Sequence, residues 1–109
     1  MQLQAVDALG VQQVVLVSGV ESPVDHSGTI SSTGSPQTVI QANSLRSGFF
    51  IQNRGANPMY LNELGVASTG SGSLLIAPGG YFPVYGYPVS SGALSLVGTA
   101  GDIFTAREW

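Results

Sequence analysis

Few residues in this chain could do chemistry. His26 is the only histidine and stands between Asp25 and Ser27, so an imidazole, a carboxylate and a hydroxyl are adjacent. Those groups act as a nucleophile, base and orienting acid only when they converge from separate elements, which sequence neighbours cannot do. His26 is therefore expected to be solvated or bonded within a turn. The carboxylates Asp7, Glu21, Asp25, Glu63, Asp102 and Glu108 lack the Asp-x-Asp spacing of a calcium loop. With one histidine and no cysteine, neither a His-rich nor a thiolate metal site can be built. Gly70-Ser71-Gly72-Ser73 has no phosphate-loop lysine, and Ser68 sits in no Gly-x-Ser-x-Gly elbow. The expectation is a protein with no catalytic, cofactor-binding or metal-binding residues, and not an enzyme.

The remaining chemistry is that of contact. Tyr81, Phe82, Tyr85 and Tyr87 fall close together, broken by Pro83, Gly86 and Pro88. Aromatic rings so placed can stack on sugars, or they can anchor a protein interface with large area and a polar tip. The second use is the more common, and these four residues are expected at an interface. Trp109 follows a strand directly and is expected to pin it to the body or to a neighbour. Val14 and Leu16, alternate members of the run Val14-Val15-Leu16-Val17, complete the set of expected contact residues. Asn53, Asn57 and Asn62, with Glu63, are read as turn chemistry.

Composition points the same way. Charged residues make up 8% of the 109, against roughly 25% in an ordinary soluble domain. There is no lysine, and Arg46, Arg54 and Arg107 are the only arginines. A surface so poor in charge is expected where protein meets protein. Three separated arginines in a chain of net charge −3 cannot neutralise a row of phosphates, which argues against nucleic acid as a partner. The longest apolar run is far short of the ~20 residues that span a bilayer, and residues 1–7 lack the start of a secretory signal. Neither a membrane partner nor export is expected, and synthesis is placed in a cytoplasm.

The elements that must position the contact residues are short strands. Glycine and proline punctuate β-branched and aromatic runs at Gln12–Val17, Thr29–Ser32, Gln37–Gln41, Gly48–Asn53, Met59–Asn62, Ser73–Ala77, Tyr81–Val84, Ala93–Gly98 and Asp102–Arg107. Residues 42–47 are the best place for a single helical turn. Alternation sets Phe49, Ile51 and Asn53 on one face, with Phe50 and Gln52 opposite. Residues 54–58 read as a hairpin loop, and 67–72 as a flexible loop or a close-packed contact. The reading is an all-β chain: a β-sandwich over residues 28–109, with a jelly roll as one form of it, and an arm or edge strand over 1–27. Residues 1–24 are expected to be dispensable for folding.

From Asp25 onward the chain resembles a group of small virion proteins of tailed bacteriophages. The likeness is carried by Asp25–Ile30, Gly48–Asn53, Met59–Gly65, Ile76–Tyr81 and Gly101–Trp109. It implies a β-sandwich in the phage particle, sitting on the capsid surface as a decoration (cement) protein, with the major capsid protein as partner and a homotrimer as the oligomer. A tail, neck or fibre component is the neighbouring alternative, and a carbohydrate-binding module for host attachment the more distant one. No catalytic residue comes with the resemblance.

Overall fold

The computed structural model describes residues 22–109, and there seven of the runs set off by glycine and proline become strands, while the expected strand Thr29–Ser32 is one only at Thr29. In order the strands are β1 (Val24–Asp25), β2 (Gly28–Thr29), β3 (Gln37–Ile40), β4 (Gly48–Asn53), β5 (Met59–Asn62), β6 (Leu74–Ile76), β7 (Tyr81–Tyr85), β8 (Leu94–Val97) and β9 (Ile103–Glu108). All pairings are antiparallel. One sheet has the order β1-β9-β4-β7, with β2 also on β9, and the other the order β3-β8-β5-β6.

β1 and β2 lie along the same neighbour and act as one strand interrupted at His26–Ser27. Counted so, the first strand pairs with the last, β3 with β8, β4 with β7 and β5 with β6. The chain is a long hairpin rolled over itself, which is the jelly roll. Every connection except β5 to β6 passes from one sheet to the other. The segment 54–58 is therefore no hairpin loop, contrary to the sequence expectation. β4 and β5 are strong strands joined by a short turn, and nothing local in that pattern distinguishes a hairpin from a crossover between sheets.

Period-2 alternation builds the core. Phe49, Ile51, Phe104 and Ala106 from one sheet meet Ile40, Met59, Leu61, Ile76, Leu94 and Leu96 from the other, with Ile30 beside them. β8 is buried along its whole length. Leu94 and Leu96 face the core, and the loop after β5 folds over the opposite side, where Ala67 N–H donates to Ser95 Oγ at 2.9 Å. The close-packed reading of residues 67–72 holds at Ala67, which is buried. Residues 42–47 form no helix but close one turn, in which Arg46 N–H donates to Asn43 O at 3.2 Å and Asn43 Oδ1 accepts from Leu45 N–H at 3.0 Å.

The arm expected over residues 1–27 already belongs to the sheet at its C-terminal end. Val24 and Asp25 pair with Glu108 and Arg107, and His26 N–H donates to Ala106 O at 2.7 Å. A truncation through residue 24 would cut into β1, so one that spares the described body stops before Ser22. Val14 and Leu16 lie outside the described residues.

At the end of the sandwich where β4 finishes, Asn53 is fully buried. Its Nδ2 donates to Asn57 O at 2.8 Å and Ile76 O at 2.9 Å, and its Oδ1 accepts from Gly55 N–H at 2.8 Å. Asp102 Oδ2 accepts from Asn57 N–H at 3.0 Å and brings the β8–β9 loop into the same cluster. Gly55 has to be glycine for this approach, since a Cβ there would stand 2.5 Å from Asp102 Cβ. Asn53→Ala strands several buried polar groups at once and should cost about 3 kcal/mol. Urea unfolding should show a lower midpoint with an unchanged slope.

Candidate functional site

The outward faces of β9, β4 and β7 carry the exposed aromatic residues, and strand register puts them there. Gly48 pairs with Tyr85, Phe50 with Pro83, and Gln52 with Tyr81. On the other side of β4, Phe50 pairs with Arg107 and Gln52 with Thr105. Directly paired residues share a face, so Phe50, Tyr81 and Tyr85 point away from the core with Arg107 and Thr105. Phe50 and Tyr81 stack with centroids 5.7 Å apart, and Tyr85 lies against Trp109 at 5.6 Å. Tyr81 is 62% exposed and Tyr85 72%, high values for rings that already have an aromatic partner.

Trp109 extends the β9 ladder by one residue. Its N–H donates to Gly48 O and its own carbonyl accepts from Gly48 N–H, both at 3.1 Å. The indole covers Gly48, where a Cβ would come within 2.7 Å of the ring and 2.5 Å of Val84 O. Only glycine allows this seat. Pro23, Phe50, Tyr85, Arg107 and Trp109 surround a shallow depression of about 280 Å³. On its rim Arg107 Nε donates to Asp25 Oδ1 at 3.1 Å, and Ser27 Oγ donates to the same oxygen at 2.6 Å. The Ser27 hydroxyl, then Arg107, hold the Asp25 carboxyl below its ordinary range. This pair is exposed, and such pairs add little to stability.

Of the residues expected at an interface, Tyr81, Tyr85 and Trp109 lie together on this face. Tyr87 is 97% exposed in the loop that follows, after Gly86 with φ +75°. Phe82 does not belong with them. It pairs with Ile51 and packs on Phe49 with centroids 6.0 Å apart, on the core side. Strand alternation separates it from its neighbours Tyr81 and Pro83, a distinction that the clustering of aromatics in sequence hides.

Beneath the aromatic end lies a buried charged cluster. Glu108 points inward from β9, where Arg46 Nε donates to its Oε1 at 3.0 Å and Asn43 Nδ2 donates to the same atom at 3.2 Å. His26 Nε2 is 2.9 Å from Oε2. The Arg46 side chain is wholly buried and donates further to Ser90 O, Gly92 O and Gln41 O at 2.6, 2.9 and 2.8 Å. Its guanidinium also lies 5.9 Å from the Phe49 ring centroid. His26 is therefore half-buried and engaged with a distant strand, not solvated as expected. Its partner is 82 residues away, out of reach of any local pattern. Arg46 and Glu108 were equally unmarked in the sequence, apart from the rarity of arginine in this chain.

The cluster joins elements and does not resemble a reaction centre, because each polar atom of Arg46 is spent on a fixed acceptor. A larger cleft of about 460 Å³ at the same end is walled by Leu64, Val66 and Ser90–Ala93, with Glu63 its one titratable residue. Among the described residues no group of three His, Cys, Asp or Glu could hold a metal ion.

No protein-family model matches this chain, and no curated protein matches it. It is similar to a solved structure from work described as "Bacillus endospore appendages form a novel family of disulfide-linked pili". The identity is 14%, over 91% of this chain and 97% of that one, with a TM-score of 0.41. The 109 residues here contain no cysteine.

Burial pushes the Glu108 carboxyl up, but hydrogen bonds from Arg46, Asn43 and His26, with the charge of Arg46, outweigh it and hold the group below its usual range. A depressed carboxylate stabilises the fold fully above the unfolded glutamate value of about 4.3 and loses that contribution as pH falls through the folded value. Stability should therefore drop on acidification below about pH 4–5. Glu108→Gln should flatten that drop and cost about 3–5 kcal/mol at pH 7, since it leaves Arg46 buried without a counter-charge. Urea midpoints taken from pH 7 down to pH 3 check both.

Proposed function

We propose that this chain is a structural subunit of a virus particle: a capsid decoration protein that binds the assembled head of a tailed bacteriophage. The observation that carries the reading is the outer face of the β9–β4–β7 sheet, where Tyr81 and Tyr85 stay largely exposed although each lies against a half-buried ring, Phe50 and Trp109 respectively, in a charge-poor chain. Aromatic anchors of this kind supply a large share of the energy in protein interfaces. A jelly roll supports the reading only by analogy, since the architecture serves capsid proteins, lectins and cupins alike. The phage assignment comes from the sequence resemblance.

The proposed mechanism is mass action. A protein that binds the assembled shell and not its free subunits stabilises the shell by an amount set by affinity and concentration. The partner is the major capsid protein, and the subunit acts as a homo-oligomer, a trimer under the resemblance. The double variant Tyr81→Ser/Tyr85→Ser should lose at least about thirtyfold in affinity for undecorated heads. Its own unfolding midpoint should stay close to wild type, because both rings are largely exposed in the isolated chain. Co-sedimentation with heads measures the first and urea unfolding the second. Wild-type chain that leaves heads unbound would overturn the reading. Recognition of glycans lost with the same two tyrosines would assign the face to sugar.

A further inference from the structure

We infer that the cleft beside Glu63 seats the Arg54 side chain of a second copy of this chain, so that copies join head to tail. The inference rests on the subunit reading above and names the contact between copies.

Among the described residues, charge is matched everywhere except at two places. Asp25 takes Arg107, and Glu108 takes Arg46. Asp102 Oδ2 accepts from the Asn57 N–H and side-chain amide at 3.0 and 3.2 Å. Among the described side chains this leaves one cation and one carboxylate without a partner, Arg54 and Glu63. Arg54 is exposed, and Glu63 is half-buried on the wall of the cleft of about 460 Å³.

The two cannot meet within one copy. Arg54 follows β4 at the Asn53 end, where its N–H donates to Ile103 O at 3.0 Å. β5 begins at that end, since Met59 pairs with Ile76, whose carbonyl accepts from Asn53. Glu63 stands four residues past Met59, about 14 Å away along an extended chain. Its carbonyl accepts from Ser90 Oγ at 2.7 Å, and the Ser90 carbonyl accepts in turn from Arg46, at the end where β4 starts. The two residues also follow strands of different sheets, whose faces pack roughly 10 Å apart. Hydrogen bonds tie both backbones to their neighbours, so the gap is fixed and wider than the two side chains can span. A second copy, set end to end with the first, meets no such gap.

The cleft suits a guanidinium on an aliphatic stem. Leu64 and Val66 on its rim are 86% and 72% exposed, apolar surface of the kind that arginine methylenes cover. No cation lines the cleft to compete for Glu63, and the planar fork of a guanidinium fits a carboxylate with two parallel hydrogen bonds. The contact is heterologous: the Asn53 end of one copy meets the cleft of the next, and repetition closes a ring where the rotation allows. A ring of three is the trimer of the reading above. The contact uses neither Tyr81 nor Tyr85, the residues assigned to the shell.

Exchanging the two charges tests the contact. Wild-type chain should self-associate in sedimentation equilibrium. Arg54→Glu and Glu63→Arg should each weaken that association at least about tenfold, because each brings like charges together. A double variant carrying both should recover to within about threefold of wild type. Arg54→Gln and Glu63→Gln, which remove charge without reversing it, should weaken association less than the reversals do. Unfolding midpoints should stay near wild type and show that each variant is folded, since neither side chain has a partner among the described residues. A double variant as weak as the single ones would overturn the inference, and the subunit reading would stand if wild type binds heads. Loss of head binding in Glu63→Arg with self-association unchanged would give the cleft to the shell and overturn the inference as well. Wild type that stays monomeric at every concentration would remove the contact, while co-sedimentation with heads decides the subunit reading separately.

Discussion

The carboxylate of Glu108 is the point on which this jelly roll depends. It lies near the end of the central strand of one sheet, and its two oxygens gather Arg46, Asn43 and His26. Through Arg46 the same contact reaches the carbonyls of Gln41, Ser90 and Gly92, so two crossovers and the first strand are held at one place. The arrangement follows from topology. Rolling a hairpin sends nearly every connection from sheet to sheet and leaves crowded loop backbone at both ends, where buried carbonyls need donors. A guanidinium supplies several donors in a fixed plane, and a carboxylate balances the charge that comes with it. At the opposite end Asn53 does comparable work without charge.

Strands β4 and β9 serve two purposes at once. Phe49, Ile51 and Asn53 alternate with Phe50 and Gln52 along β4, so the inner set packs inside the sandwich while the outer set lies on the aromatic face. Period 2 thus separates stability from recognition within a single strand, and outer residues can change without opening a cavity inside. Gly48 is the exception. It admits both the Trp109 ring and the neighbouring Val84 carbonyl, so substitution there disturbs the face and the packing of β7 beside β4 together.

How much could be read beforehand followed the range of the physics involved. β4 and β5 emerged with the boundaries expected, because alternation and turn residues are local signals. The grouping of Tyr81, Tyr85 and Trp109 was in part recognisable by residue type, and the structure brings all three to one outward face. The crossover at residues 54–58 was missed because sheet membership depends on pairing with distant strands. Phe82 was misplaced because clustering in sequence was given more weight than alternation. The Arg46–Glu108 cluster was invisible for the plainest reason, a separation of 62 residues between partners that only the finished fold brings together.

That separation bears on how the domain is made. β9 lies between β1 and β4, yet it is synthesised after every other strand of the domain. Until it leaves the ribosome, one sheet has no middle, the inner side of Phe49 and Ile51 has no neighbour on that flank, and Arg46 has no counter-charge. Contacts between sequence-distant strands are slow to form, and this fold cannot begin to settle them piecemeal during translation. A chain cut short before β9 therefore lacks the strand that joins β1 to β4, together with Phe104 and Ala106 of the core. Arrival of β9 is in effect tested before a copy can form the aromatic face, since Arg107 and Trp109 come with it.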